Sequence, residues 1–462
     1  MQLQKISIVL LALLLAAMAM VPCVNASGQN TSNSRIIQKN CEPELFFDDF
    51  LQPQEKISEK TSFAQISSSI KKYAIIQIDA KSLKKQLRSG QKIPIHLKGI
   101  AYKMDLKEDT YYPSSETGVY TFSGHLETSP EGKSMASSEI HLTLDDEGVI
   151  GKISLDKNHC WYIDELDSGS EKQSGNTFQY VYNSDNVEKK MSPMGEDRYA
   201  LLSSGESKPL TALSDAELRQ YVNESQKGMN ARLSAITGEF EWYDVNILVV
   251  CDNQMYNAYS NWVKRAQSVV SDANSAMSYD DIKIRLVPTY DASQRSVLSN
   301  NFNAATPLQV FYQYVNNSYL NSKNADIAMY LSGNQFSTCI GASWGFHGGS
   351  TSGRHAVMMY ERAVGGGYGA NPQERANVFT HEVGHLFDAD HETAPGQTEL
   401  YNRATTYSIS GTTYHTLMNS YVTTDPTYFS SDDPRNGINY GDADHDNSRR
   451  LRETKATVAG YI

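Results

Sequence analysis

The period of the apolar residues divides the chain in two. From about Lys71 to Asn183 apolar and polar residues alternate in short runs, as in YAIIQID, KIPIHL, GVYTFSG, SEIHLTL and GKISLD. A period of two is that of a strand with one face buried, and DDEG, Asp145 to Gly148, supplies a hairpin turn, so this half reads as all-β. Past residue 242 short strand-like runs, NILVV, IKIRLV and IAMYL, are separated by helical periods. Between about Asn253 and Met277, the residues Met255, Tyr259, Trp262, Ala266, Val269, Val270 and Ala273 recur every three or four positions, the core-facing stripe of one long helix. A second helix is expected near Pro307 to Leu320. Strands alternating with helices predict an α/β (α+β) unit, a twisted mixed sheet with helices packed on it.

Between the halves, Ser214 to Ile236 reads as a polar helix opened by a Ser N-cap, after a Ser/Gly/Lys-rich stretch around Leu202 to Lys208. At the start, Lys5, an apolar run and Val24/Ala26 before a cut have the form of a signal peptide. That run is too short to cross a bilayer comfortably, which takes roughly 20 residues. The expected organisation of the 462 residues is a signal peptide over 1–26, a β-rich domain over 27–200, a linker with a helix over 201–241 and an α/β domain over 242–462. No later stretch is apolar enough to anchor the chain, so a secreted or cell-surface protein without a membrane span is expected, unless an uncleaved signal tethers it. Asn30, Asn223 and Asn316 stand in N-x-S/T sequons that suit export. A net charge of −12, without any Lys/Arg-rich run, argues against nucleic acid as a partner.

The candidate chemistry lies in HEVGHLFDADH, His381 to His391. Residues four apart share a helix face, so His381 and His385 can offer two nitrogens to one ion, with Glu382 beside them. On a straight helix His391 would be rotated about 240° from His385 and raised about 9 Å. The chain must therefore turn, and Asp388 is the expected pivot, as one of the few non-glycine residues that tolerate the left-handed conformation. Three imidazoles leave a fourth position open on Zn2+, the arrangement of a catalytic site. Glu382 would act there as general base toward water. Upstream, Asn371 as N-cap, Pro372 at the first helical position and Glu374 as a capping-box partner predict where this helix begins.

HExxHxxGxxH followed by a Met-bearing turn is the metzincin signature, and the chain resembles it at every position except Asp388, where the family has Gly. TLMNSY, with Met418, resembles the Met-turn, a packed base that does not coordinate. YDVNILVVCDNQMY, ADIAMYLSGNQFSTCIGASWG and HAVMMYER are similar, in that order, to strand segments of the reprolysin/adamalysin group, which includes the ADAM proteases. His391 is followed by Glu392, where adamalysins typically carry Asp and astacins Glu. Ser137 to Leu166, with QYVYN, is similar to the propeptide domain that precedes such catalytic domains.

The resemblance implies a metzincin catalytic domain with a zinc-binding active-site helix behind a mostly β prodomain. It implies a zinc metalloendopeptidase made as a zymogen, inhibited by its own prodomain and processed near residues 200 to 242. Protein or peptide substrates would bind in extended form along an edge strand near Ile340 to Trp344. The alternative is a surface adhesion module that keeps the fold without cleaving anything.

Of the five Cys, Cys23 lies in the signal, leaving Cys41, Cys160, Cys251 and Cys339, which allow three pairings, and pairing within each half is the simplest expectation. In related zymogens a prosegment thiolate occupies the open zinc position. Cys41 and Cys160 are the residues available for this, although neither sits in a switch motif. Asp442, Asp444, Asp446 and Glu453 fall at EF-hand-like offsets suited to Ca2+. Asn447 stands where that loop needs Gly, and Arg449 and Arg450 add positive charge, so a polar start to a closing helix is the expectation. His347, His355 and His415 have no ligand spacing, although His347 falls near the substrate edge.

Overall fold

The computed structural model describes residues 66–462 apart from 68, 98–99, 129–130, 157–158, 167–177, 189–191, 196, 202–205, 224–240, 260, 280, 347–352, 362–369, 393–400, 410, 423–427 and 435–436, together with two backbone strands at 35–37 and 45–46. The expected signal peptide and Cys41 lie outside the described residues. Among those described, no helix is long and apolar enough to cross a membrane.

The alternating runs form a ten-stranded sheet, in which the strands from Ile93–Leu97 to Phe178–Asn183 each pair antiparallel with their neighbour in sequence. Its apolar face, with Ile93, Ile95, Phe122, Leu142 and Ile163, buries Leu83 and Leu87 of the helix Ala80–Arg88. The runs past residue 242 form a second, mixed sheet of seven strands. Ile284–Asp291, Tyr243–Cys251, Ile327–Ser332 and His355–Met359 run parallel; the inner strands Ile327–Ser332 and His355–Met359 are buried on both faces, whereas the outermost, Ile284–Asp291, alternates. Gly341–Trp344 then joins antiparallel. This sheet is extended past Gly341–Trp344 by Arg198–Leu201 and Ser207–Pro209, which come from far upstream.

Two helices differ from expectation. The first breaks into Asn253–Ala258 and Trp262–Tyr279, because Tyr259 is extended, yet its apolar stripe stays buried across the break. The second breaks into Pro307–Tyr314 and Asn317–Ser322. There the Asn316 side chain accepts from Tyr319 N at 3.0 Å, an N-cap that ends one helix and opens the next. Residues 215–223 are helical as expected, with Glu217 accepting from Ser214 N at 2.8 Å, while the rest of that expected helix lies outside the described residues.

The helix Trp262–Tyr279 joins the two sheets, since opposite its apolar stripe it carries polar residues that meet the polar face of the ten-stranded sheet. Gln267 donates to Thr121 and Ser275 to Glu139, while Lys264 pairs with Asp145 and Glu165. Asp164, 1% exposed, accepts at 2.8 Å from both Arg265 and Arg375. Burial pushes its carboxyl up, but the two guanidiniums outweigh this and hold it below the usual aspartate range. A depressed carboxylate pKa stabilises the fold above the unfolded value near 4, and that contribution is lost as pH falls through the folded value. Asp164→Ala strips both guanidiniums of this carboxylate, and a loss of about 3–5 kcal/mol at pH 7 is expected in denaturant unfolding. An unchanged midpoint would show that the seam between the sheets contributes nothing.

Candidate metal centre

The helix Pro372–Leu386 opens with the expected capping box: Asn371 Oδ1 accepts from Glu374 N at 3.0 Å, and Glu374 accepts from Asn371 N at 2.8 Å. It is buried from Gln373 to Leu386, except at half-buried Glu374, so its histidines cannot be surface residues. One helical turn brings the His381 and His385 ring centroids to 4.7 Å. The helix then ends, and Asp388 takes φ +68°, at the position where a turn was required. The chain doubles back, and the His391 ring centroid comes to 5.2 Å from that of His381 and 4.9 Å from that of His385.

Backbone carbonyls orient the rings. His381 Nδ1 lies 2.9 Å from Leu417 O and His385 Nδ1 lies 2.9 Å from Ala389 O, so each Nδ1 donates and each Nε2 is left with a lone pair. The bare Nε2 of His381 then lies 3.1 Å from His391 Nε2, and that of His385 is buried without a hydrogen-bond partner. Imidazole nitrogens converging in a buried site, two of the rings fixed by carbonyls behind them, suit a divalent transition metal. Met418 is fully buried against the same helix. A Cβ at Gly384 would lie 2.6 Å from its sulfur, so the thioether packs on the helix backbone beside His385.

A fourth group enters from a residue that the sequence did not single out. Asp197 Oδ2 lies 3.2 Å from His391 Nε2 and 3.4 Å from His381 Nε2, and Asp197, His381, His385 and His391 offer ligand atoms all within 4.8 Å of one another. Burial pushes the Asp197 carboxyl up, but the facing imidazoles, His391 foremost, hold it well below the usual range. His391 moves the other way: burial lowers it, and Asp197 raises it above its ordinary value.

Strand pairing places this carboxylate. Arg198 and Tyr199 pair in parallel with Ser343 and Trp344, Ser343 N donates to Asp197 O at 2.7 Å, and Ile340 N donates to Met194 O at 3.0 Å. Arg198 is buried on Asp390, next to His391, and reaches Tyr221. The edge near Ile340 to Trp344, expected to be open to substrate, is therefore covered by the chain's own Met194, Gly195 and residues 197–199. Nothing in the local sequence marks Asp197, which has no spacing relation to the motif.

Glu382 is fully buried, and burial with the nearby Asp197 carboxylate pushes its carboxyl well above the usual range. It lies against Gly341, where a Cβ would collide with its carboxylate, so strand and side chain can be neighbours only with glycine there.

Other candidates are not brought to this centre. Cys160 sits in the ten-stranded sheet with Sγ 3.1 Å from Ser154 Oγ, its thiol pushed up by burial. Cys160 and Cys251 are buried free thiols, which corrects the expected pairing within the C-terminal half: Cys251 ends a core strand, whereas Cys339 is buried just ahead of Gly341–Trp344. Asp446 N-caps the helix Asn447–Val458, Asp442 binds His445, and Glu453 pairs with Arg449 and Arg450, so the EF-hand-like carboxylates do not converge. His355 is a core residue with Nε2 2.6 Å from Val315 O, and burial lowers its pKa to about 3. His347 lies outside the described residues.

No curated protein matches the chain. Among solved structures, a chain of a chaperone–substrate complex is similar with a TM-score of 0.36 and 13% identity, covering 48% of this chain, which spans only 35% of that one. The crystal structure of metalloproteinase-II from Bacteroides fragilis is similar with a TM-score of 0.44 and 11% identity, covering 77% of this chain and 93% of that one. A family model also matches, Reprolysin_5 of metallo-peptidase family M12, over residues 242–430, so that this part of the chain is similar to metallopeptidases.

Proposed function

We propose that the chain is a secreted zinc-dependent metalloendopeptidase made as a zymogen, with zinc on His381, His385 and His391 and with Glu382 as general base. The observation that carries this reading is the convergence of three imidazoles on a buried point, two of them fixed by backbone carbonyls with Nε2 bare. The M12 family match over residues 242–430 supports it, and the form of residues 1–26 supports export.

When bound, zinc supplies Lewis acidity that activates water and polarises a peptide carbonyl. The chain supplies the rest. His381 and His385 are held in register by Leu417 O and Ala389 O. Glu382 takes the proton of water and passes it to the leaving amine. The strand Gly341–Trp344 offers backbone N–H and C=O groups to an extended peptide once residues 194–199 have left it. In the latent chain these residues occupy the substrate's place, and Asp197 takes the position that water needs. Cleavage within 201–241 would cut the inhibitory strand from the α/β unit and allow it to leave.

The test is casein cleavage by the full chain before and after limited trypsin treatment. The untreated chain should be silent and the treated chain active, with chelator abolishing activity and added zinc restoring it. A treated, zinc-loaded chain that cleaves nothing would favour the adhesion module.

A further inference from the structure

The turn between the second and third imidazoles is held from behind by the C-terminal helix Asn447–Val458. Asn447, Arg450 and Thr454 lie three and four residues apart, on one helix face. All three are fully buried and each binds the turn. Thr454 Oγ1 donates to Phe387 O at 2.7 Å. Arg450 donates to Asp388 Oδ2 through Nε at 2.7 Å and also through Nη2. Asn447 brackets the backbone of Asp390, accepting from its N–H at 2.9 Å and donating to its carbonyl at 3.0 Å. The residue after Asp390 is His391.

We propose that this face is a positioning clamp for His391, and that Arg450 is what allows an aspartate to stand at the pivot. A residue at φ +68° with a side chain is strained where glycine would not be. Asp388 is also fully buried with its carboxylate. The fork of Arg450 neutralises that carboxylate and ties it to the helix, so the side chain that makes the turn costly also pins it in place. Aspartate with arginine and glycine alone are then two solutions to one turn.

On its other side the turn holds Arg198 of the inhibitory strand through the Asp390 carboxylate. Departure of that strand removes Arg198 but leaves the bonds to the Asp390 backbone untouched, so the closing helix keeps the third imidazole placed in the latent and the open chain alike. The inference rests on the reading of His391 as a ligand.

The test is zinc affinity of the full chain, by competition with a chromophoric chelator, with circular dichroism to score the folded fraction. Arg450→Met should weaken zinc binding about 10–100-fold, the usual effect of losing a group that orients a ligand. Asp388→Gly combined with Arg450→Met should recover to within a few-fold of the unaltered chain, because glycine takes the turn without a carboxylate to neutralise. Thr454→Val, which keeps the shape, should weaken binding a few-fold.

Arg450→Met with unaltered affinity, or a double variant no better than the single one, overturns the clamp. Where Arg450→Met does not fold, a folded double variant that binds zinc supports it, and an unfolded double variant beside a Thr454→Val of unaltered affinity overturns it. His391→Ala separates the two levels of the argument. If that variant binds zinc as tightly as the unaltered chain, the ligand reading fails; if it loses zinc while Arg450→Met does not, only the clamp fails.

Discussion

Replacing Asp197 with Ala should give a full-length chain that cleaves peptides without processing. This carboxylate faces His381 and His391 at 3.4 and 3.2 Å in a buried site. Removing one partner of such a buried pair typically costs about 3–5 kcal/mol, which displaces the closed-to-open equilibrium roughly 10²–10⁴-fold toward open. Strand pairing by residues 198–199 and the bond from Arg198 to Asp390 remain, so some latency should persist, and Arg198→Ala in addition should relieve more of it. A fluorogenic peptide assay on chains kept intact, with electrophoresis to exclude cleavage, measures this. A silent Asp197→Ala beside an active trypsin-treated chain would move the block from the carboxylate to the covered edge strand.

Replacing Glu382 with Gln should leave zinc bound and lower hydrolysis by the processed chain about 10²–10⁴-fold, the range over which general acid–base groups contribute. Glutamine keeps the shape beside Gly341 but cannot take a proton from water. The raised Glu382 pKa of the latent chain means that its base form appears only at higher pH than is usual for glutamate. Zinc content by atomic absorption and kcat on a fluorogenic peptide decide the matter, and a Gln variant with near-normal kcat would end the assignment of Glu382 as base.

What could be read along the chain was what a few neighbouring residues settle among themselves. Asn371, Pro372 and Glu374 make the capping box because the cap and its partner lie three residues apart. His381 and His385 share a face because one helical turn is nearly four residues. Asp388 turns the chain because the next imidazole could not otherwise return. Most strand runs of both sheets were likewise legible from period and length, but Arg198–Leu201 and Ser207–Pro209 were not. The helices near 259 and 315 were read as continuous because apolar spacing survives a break, whereas the break itself depends on the backbone of Tyr259 and the cap of Asn316.

The motif helix, its cap, its pivot and most of the apolar strands could be read along the chain, since each depends on residues within a turn or two of one another. That Asp197 completes the imidazole cluster, that Arg450 meets Asp388, and that the polar face of Trp262–Tyr279 is buried on the ten-stranded sheet came only from the fold. Those partners are far apart in the chain, and a buried charge finds its counter-charge through the fold, which leaves no spacing in the sequence to announce it.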